Sequence, residues 1–64
     1  MKNSIKVERA KKNITQAELA KLAKVSRQTI NAIENGKFDP SLTLAIKLTR
    51  YFKVSIDEIF KYED

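Results

Sequence analysis

Cysteine and histidine are both absent from the 64 residues. With them go the thiolates and imidazoles on which disulfide frameworks, zinc sites and most nucleophile or general-base arrangements depend. One glycine and one proline leave few places for tight turns, and β-branched residues do not gather into runs, so hairpins have little to form from. No apolar stretch approaches the roughly 20 residues needed to cross a bilayer, and the stretch from Met1 to Ile5 lacks the hydrophobic segment of a secretion signal. Carboxylates such as Glu8, Glu18 and Glu34 are spread over helix surfaces with no scaffold large enough to enclose a pocket, which disfavours an enzyme. No catalytic site, cofactor, metal or membrane association is expected, and the chain is expected in the cytoplasm.

What is present is a hydrophobic fraction of 42%, most of it at helical spacing, which predicts an all-α fold. The length predicts a single domain over residues 1–64, with a core so small that regular helices or self-association should be needed to support it. Net charge is +5, unevenly placed. Residues 1 to 37 carry nine basic side chains against three acidic ones, whereas residues 38 to 64 carry four against five. The basic half has the character of an electrostatic footprint on phosphate.

Five short helices fit the chain. The first runs from about Ser4 to Lys12, with Ile5, Val7 and Ala10 directed inward. Thr15 followed by Glu18 reads as a reciprocal capping box for a second helix ending near Ala23. Ser26 caps a third that ends near Glu34, with Asn35-Gly36 as its stop. Ser41 caps a fourth, whose Leu44, Ala45, Leu48 and Phe52 form an inward stripe. Ser55 and Glu58 repeat the capping box for a last helix, about Ile56 to Phe60, which is too short to persist without packing.

Helices two and three, separated by a break at Lys24 and Val25, form a helix-turn-helix. Ala20 allows their close approach, and Val25, Ile30 and Ile33 lock them together. The outward face of the third helix is left with Arg27, Gln28, Asn31 and Asn35, which can pair with base edges or phosphates, and Ala32, which can offer only an apolar contact. Asn31 divides evenly between a DNA-contacting and a merely solvated residue, as do Lys11 and Lys12.

Thr-Gln-Ala-Glu-Leu-Ala at 15 to 20 and Val-Ser-Arg-Gln-Thr-Ile-Asn-Ala-Ile-Glu-Asn-Gly-Lys at 25 to 37 resemble the Cro and phage-repressor (Xre) family over nearly the whole chain. The resemblance implies a compact five-helix, lambda-repressor-like domain that binds double-stranded DNA as a homodimer and represses transcription. It implies base reading by Arg27, Gln28 and Ala32, to which the outward face adds Asn31. It implies phosphate contacts from Gln16, Thr29, Asn35 and Lys37, and a buried ion pair between Arg9 and Glu34.

Two residues depart from the family pattern. Lys24 stands where glycine is common, at a cost of about 1 kcal/mol if the backbone there is left-handed. Glu8 stands where relatives often place an apolar residue, with Val7 beside it, so the first helix could be rotated slightly. Ile56, Phe60 and Tyr62 are expected to form the dimer surface, with simple capping of the core as the alternative for this segment. An alternative to the regulator is an interaction module, such as an antitoxin or accessory subunit, holding an unidentified protein partner.

Overall fold

The computed structural model describes residues 1–63. Five helices are observed: α1 (Ile5–Lys12), α2 (Gln16–Ala23), α3 (Arg27–Glu34), α4 (Leu42–Phe52) and α5 (Ile56–Ile59). All four predicted hydroxyl caps are formed. Thr15, Ser26, Ser41 and Ser55 each accept the amide three residues on, and Glu18 and Glu58 return the bond to the amides of Thr15 and Ser55, both at 2.9 Å. The backbone and hydroxyl bonds from Ser55 hold the Glu58 carboxyl below its ordinary range. This second box is therefore complete at neutral pH and is lost only as pH falls through that lowered value.

One kind of turn ends four of the helices. The amides of Ile14, Val25, Lys37 and Val54 each reach back to the carbonyl five residues earlier. That geometry puts one residue per turn in the left-handed region, at Asn13 (φ 57°), Lys24 (60°), Gly36 (72°) and Lys53 (57°). Glycine adopts this conformation without strain and asparagine tolerates it, whereas lysine pays a steric penalty. Lys24→Gly and Lys53→Gly are each expected to stabilise the fold by about 1 kcal/mol, the relief of strain exceeding the greater unfolded-state freedom of glycine. Thermal unfolding followed by circular dichroism should show midpoints raised by roughly 4 to 8 °C. Unchanged midpoints would mean that the two lysines are not strained.

The core is one contiguous cluster in which Ile5, Leu19, Ile30, Ile33, Leu48 and Ile59 are sealed from solvent, with Ile14, Val25, Tyr51 and Val54 packed against its edge. Ala20 is buried, as close approach of α2 and α3 requires. The expected inward face of α1 needs correction. Ile5 is buried, but Val7 is 54% exposed and Ala10 is also on the surface. The helical repeat places Glu8 and Arg9, three and four residues on, below Ile5, and carries Val7 and Ala10 to the far side. Glu8 thus occupies the half-buried position itself, with Lys11 Nζ donating to it at 3.2 Å.

An element not anticipated is a two-residue antiparallel pairing of β1 (Lys2–Asn3) with β2 (Phe60–Lys61), which places Lys2 opposite Lys61 and Asn3 opposite Phe60. The facing lysines diverge, Lys2 towards Glu63 at 3.6 Å and Lys61 to the Asp57 carbonyl at 3.1 Å. This pairing corrects the expectation of Phe60 at the dimer surface in favour of the alternative, capping of the core. The chain leaves α5 at Phe60 in an extended conformation, and strand alternation turns Phe60 inward, leaving it only 6% exposed. Ile56 and Tyr62 are exposed. No helix among the described residues is long and apolar enough to cross a membrane.

Candidate nucleic-acid interface

Because Ile30 and Ile33 face the core, the helical repeat fixes what the opposite side of α3 presents. Arg27, Gln28, Asn31 and Asn35 are exposed there, with Ala32 half-buried between them. Ser26 accepts the Thr29 amide at 3.1 Å and its Oγ lies 2.9 Å from Thr29 Oγ1. The Thr29 hydroxyl is therefore shared with the cap at the N-terminal end of the helix.

A chain of polar contacts fixes α3 to α1 and α2. Arg9 donates from Nε to Glu34 Oε2 at 2.6 Å and from a terminal nitrogen to Oε1 at 3.0 Å, and also reaches the Ile14 carbonyl at 3.2 Å. The two side chains are only 14% and 5% exposed. Hydrogen bonding to Glu34 outweighs burial and holds the Arg9 guanidinium above its ordinary pKa, so its charge persists at every accessible pH. Gln16 Nε2 also donates to Glu34 Oε1, at 3.1 Å, and to Asn31 Oδ1, at 3.2 Å. The exposed Asn31 is thereby oriented through Gln16 and Glu34 by an arginine on another helix, and its own amide group is left able to donate outward.

This network qualifies how Gln16 could meet a phosphate. Its side-chain N–H groups are engaged within the fold, but it is the first residue of α2. The amides of Gln16 and Ala17 have no earlier helical carbonyl to bond and, with the positive end of the helix dipole, suit an anion. Asn35 and Lys37 are exposed at the other end of α3. Lys11 is paired with Glu8, and Lys12 lies over the Tyr51 ring, 5.2 Å from its centre. Sequence reasoning missed the linkage of Gln16 and Asn31 to the ion pair. The one signal was the three-residue spacing of Asn31 and Glu34, which puts them on adjacent turns.

An apolar groove of about 400 Å³ lies elsewhere on the molecule, lined by Met1, Pro40, Leu42, Ile56, Phe60 and Tyr62 among others. Leu42 and Tyr62 are 72% and 82% exposed, and the buried Phe60 contributes to its lining.

The sequence matches the helix-turn-helix family model over residues 5–59. It is 59% identical to an uncharacterized HTH-type transcriptional regulator of Methanocaldococcus jannaschii, over all of this chain and 97% of the relative. It is 39% identical to the uncharacterized HTH-type transcriptional regulator YgzD of Bacillus subtilis, with the same coverage of each. It is also 38% identical to the HTH-type transcriptional activator BcrR of Enterococcus faecalis, over 88% of this chain and 28% of that longer protein. With α2 and α3 set at the break at Lys24 and the polar face of α3 turned outward, the chain belongs to the Xre-type helix-turn-helix family of DNA-binding transcriptional regulators.

Proposed function

We propose that the protein is a sequence-specific repressor that binds an inverted-repeat operator as a homodimer, with α3 in the major groove. The observation that carries this reading is the exposed polar face of α3 on a helix held by the Arg9–Glu34–Gln16 network. A helix fixed in this way can present side chains to base edges in one register.

In this reading Arg27 pairs with guanine, Gln28 with adenine, Asn31 with a neighbouring base, and Ala32 makes an apolar contact such as that with a thymine methyl. Gln16 through its backbone, together with Thr29, Asn35 and Lys37, holds the phosphates on either side. The exposed groove around Leu42, Ile56 and Tyr62 supports a second copy as the partner, since a small domain gains most from covering such a surface. Repression follows from occlusion of a promoter by the bound dimer. The chain acts by binding rather than catalysis, in the cytoplasm.

Selection of bound duplexes from a random pool at about 150 mM salt, where non-specific phosphate binding is weakened, tests the proposal. The expected product is a two-fold inverted repeat with half-site centres about 34 Å apart. Enrichment of single, unrepeated half-sites would contradict the dimer, and no enrichment would contradict sequence-specific binding.

A further inference from the structure

The turn that closes α3 differs from its three counterparts. After α1, α2 and α4 the last residue of the turn is Ile14, Val25 or Val54, each packed against the core. An apolar contact of that kind commonly accompanies this helix ending. After α3 the same position is Lys37, whose side chain is exposed. The α3 turn therefore lacks the apolar anchor of the others.

Its place is taken by the N-terminal arm. Asn3 Nδ2 donates to the Ile33 carbonyl at 2.7 Å, and that carbonyl also accepts the Gly36 amide at 3.0 Å within the turn. Asn3 Oδ1 meanwhile accepts the Ile5 amide at 3.2 Å, at the start of α1. The Met1 carbonyl lies 3.6 Å from where a side chain on Gly36 would begin, so the arm runs directly alongside the turn. β1, which holds Asn3, is in turn paired to β2.

We infer that Asn3 is a positioning residue for DNA binding: it braces the turn that presents Asn35 and Lys37, and so sets where those two side chains meet the phosphate backbone. The inference rests on the proposed phosphate role of Asn35 and Lys37.

Asn3→Asp separates the two bonds of this side chain, since a carboxylate oxygen can still accept the Ile5 amide but nothing remains to donate to Ile33. Amide hydrogen exchange of the variant, without DNA, should be about 3- to 10-fold faster at Gly36 and Lys37 and unchanged at Ile14 and Val25, which report any general loosening. DNA affinity should fall about 3- to 10-fold, and equally for the selected operator and for random duplex, with a shallower salt dependence, because phosphate contacts carry little sequence information.

Unchanged exchange at Gly36 and Lys37, equal acceleration at all four amides, or unchanged affinity despite a loosened turn would each overturn the inference. So would a loss confined to the operator, which would place the effect on base reading instead. If the wild-type chain shows no sequence preference, the proposed specificity fails on its own account, and the random-duplex comparison still decides the role of Asn3. If it binds no duplex at all, the phosphate role falls and the inference with it.

Discussion

Glu34→Ala is expected to destabilise the fold by about 3 to 5 kcal/mol, the largest effect on stability of any single substitution proposed for this chain. The Arg9 guanidinium would lose the bond that raises its pKa yet remain charged, as a guanidinium does at any accessible pH, and its side chain, 14% exposed, would have little access to water. Gln16 would lose an acceptor in the same step. Small domains lie near the lower end of the roughly 5 to 15 kcal/mol that folded proteins possess, so the variant should be substantially unfolded at 37 °C. Urea denaturation would read the loss directly. The double variant Arg9→Met, Glu34→Leu should recover most of it, because the cost comes from stranding one charge rather than from removing a favourable pair. A loss below about 1 kcal/mol for Glu34→Ala would show that water reaches the arginine and that the pair behaves as a surface ion pair.

For DNA recognition a loss as large as any is expected of Gln28→Ala. Gln28 is exposed on the polar face of α3, and alanine favours a helix at least as well, so the fold should be unaffected. A bidentate contact to adenine contributes about 1 to 3 kcal/mol of discrimination, and a symmetric operator contains two such contacts. Together these predict a loss of about 2 to 6 kcal/mol, or roughly 30- to 25,000-fold, on the selected operator, with little change on random duplex. Titration of both duplexes by fluorescence anisotropy separates the cases. Equal losses on the two would assign Gln28 to the phosphates. Lys37→Ala provides the contrast, since it should weaken all duplexes alike and flatten the salt dependence.

The parts of the fold legible in the sequence were those written in local chemistry. A hydroxyl residue followed three places on by Glu marked the starts of α2 and α5, because both bonds of the box lie within one turn of chain. The left-handed residue at Lys24 was raised by the family resemblance, which often puts glycine there, since lysine itself gives no sign of it. Contacts between distant segments were less visible. Val7 looked like core because apolar residues are sparse in α1, yet the helical repeat puts Glu8 in the sheltered position. Phe60 looked like surface because its partner strand, Lys2–Asn3, carries no β-forming residues that would announce it.

The same division holds at the site. The identities on the outward face of α3 follow from two buried isoleucines, so Arg27, Gln28, Asn31 and Asn35 could be read from periodicity alone. The coupling of Asn31 to Arg9 could not, because it passes through Gln16 and Glu34 and each step joins different helices or turns.

The pairing of Lys2–Asn3 with Phe60–Lys61 also bears on the order in which the molecule assembles during synthesis. Helices and their caps can form as each segment leaves the ribosome, since their bonds span only a few residues. β1 must wait for β2, which follows all five helices in chain order, and closing so long a loop yields few contacts in return. The arm beside α3 is therefore made before the helices it touches and secured only after α5 has followed them, so this support of α3 is among the last long-range contacts open to a nascent chain.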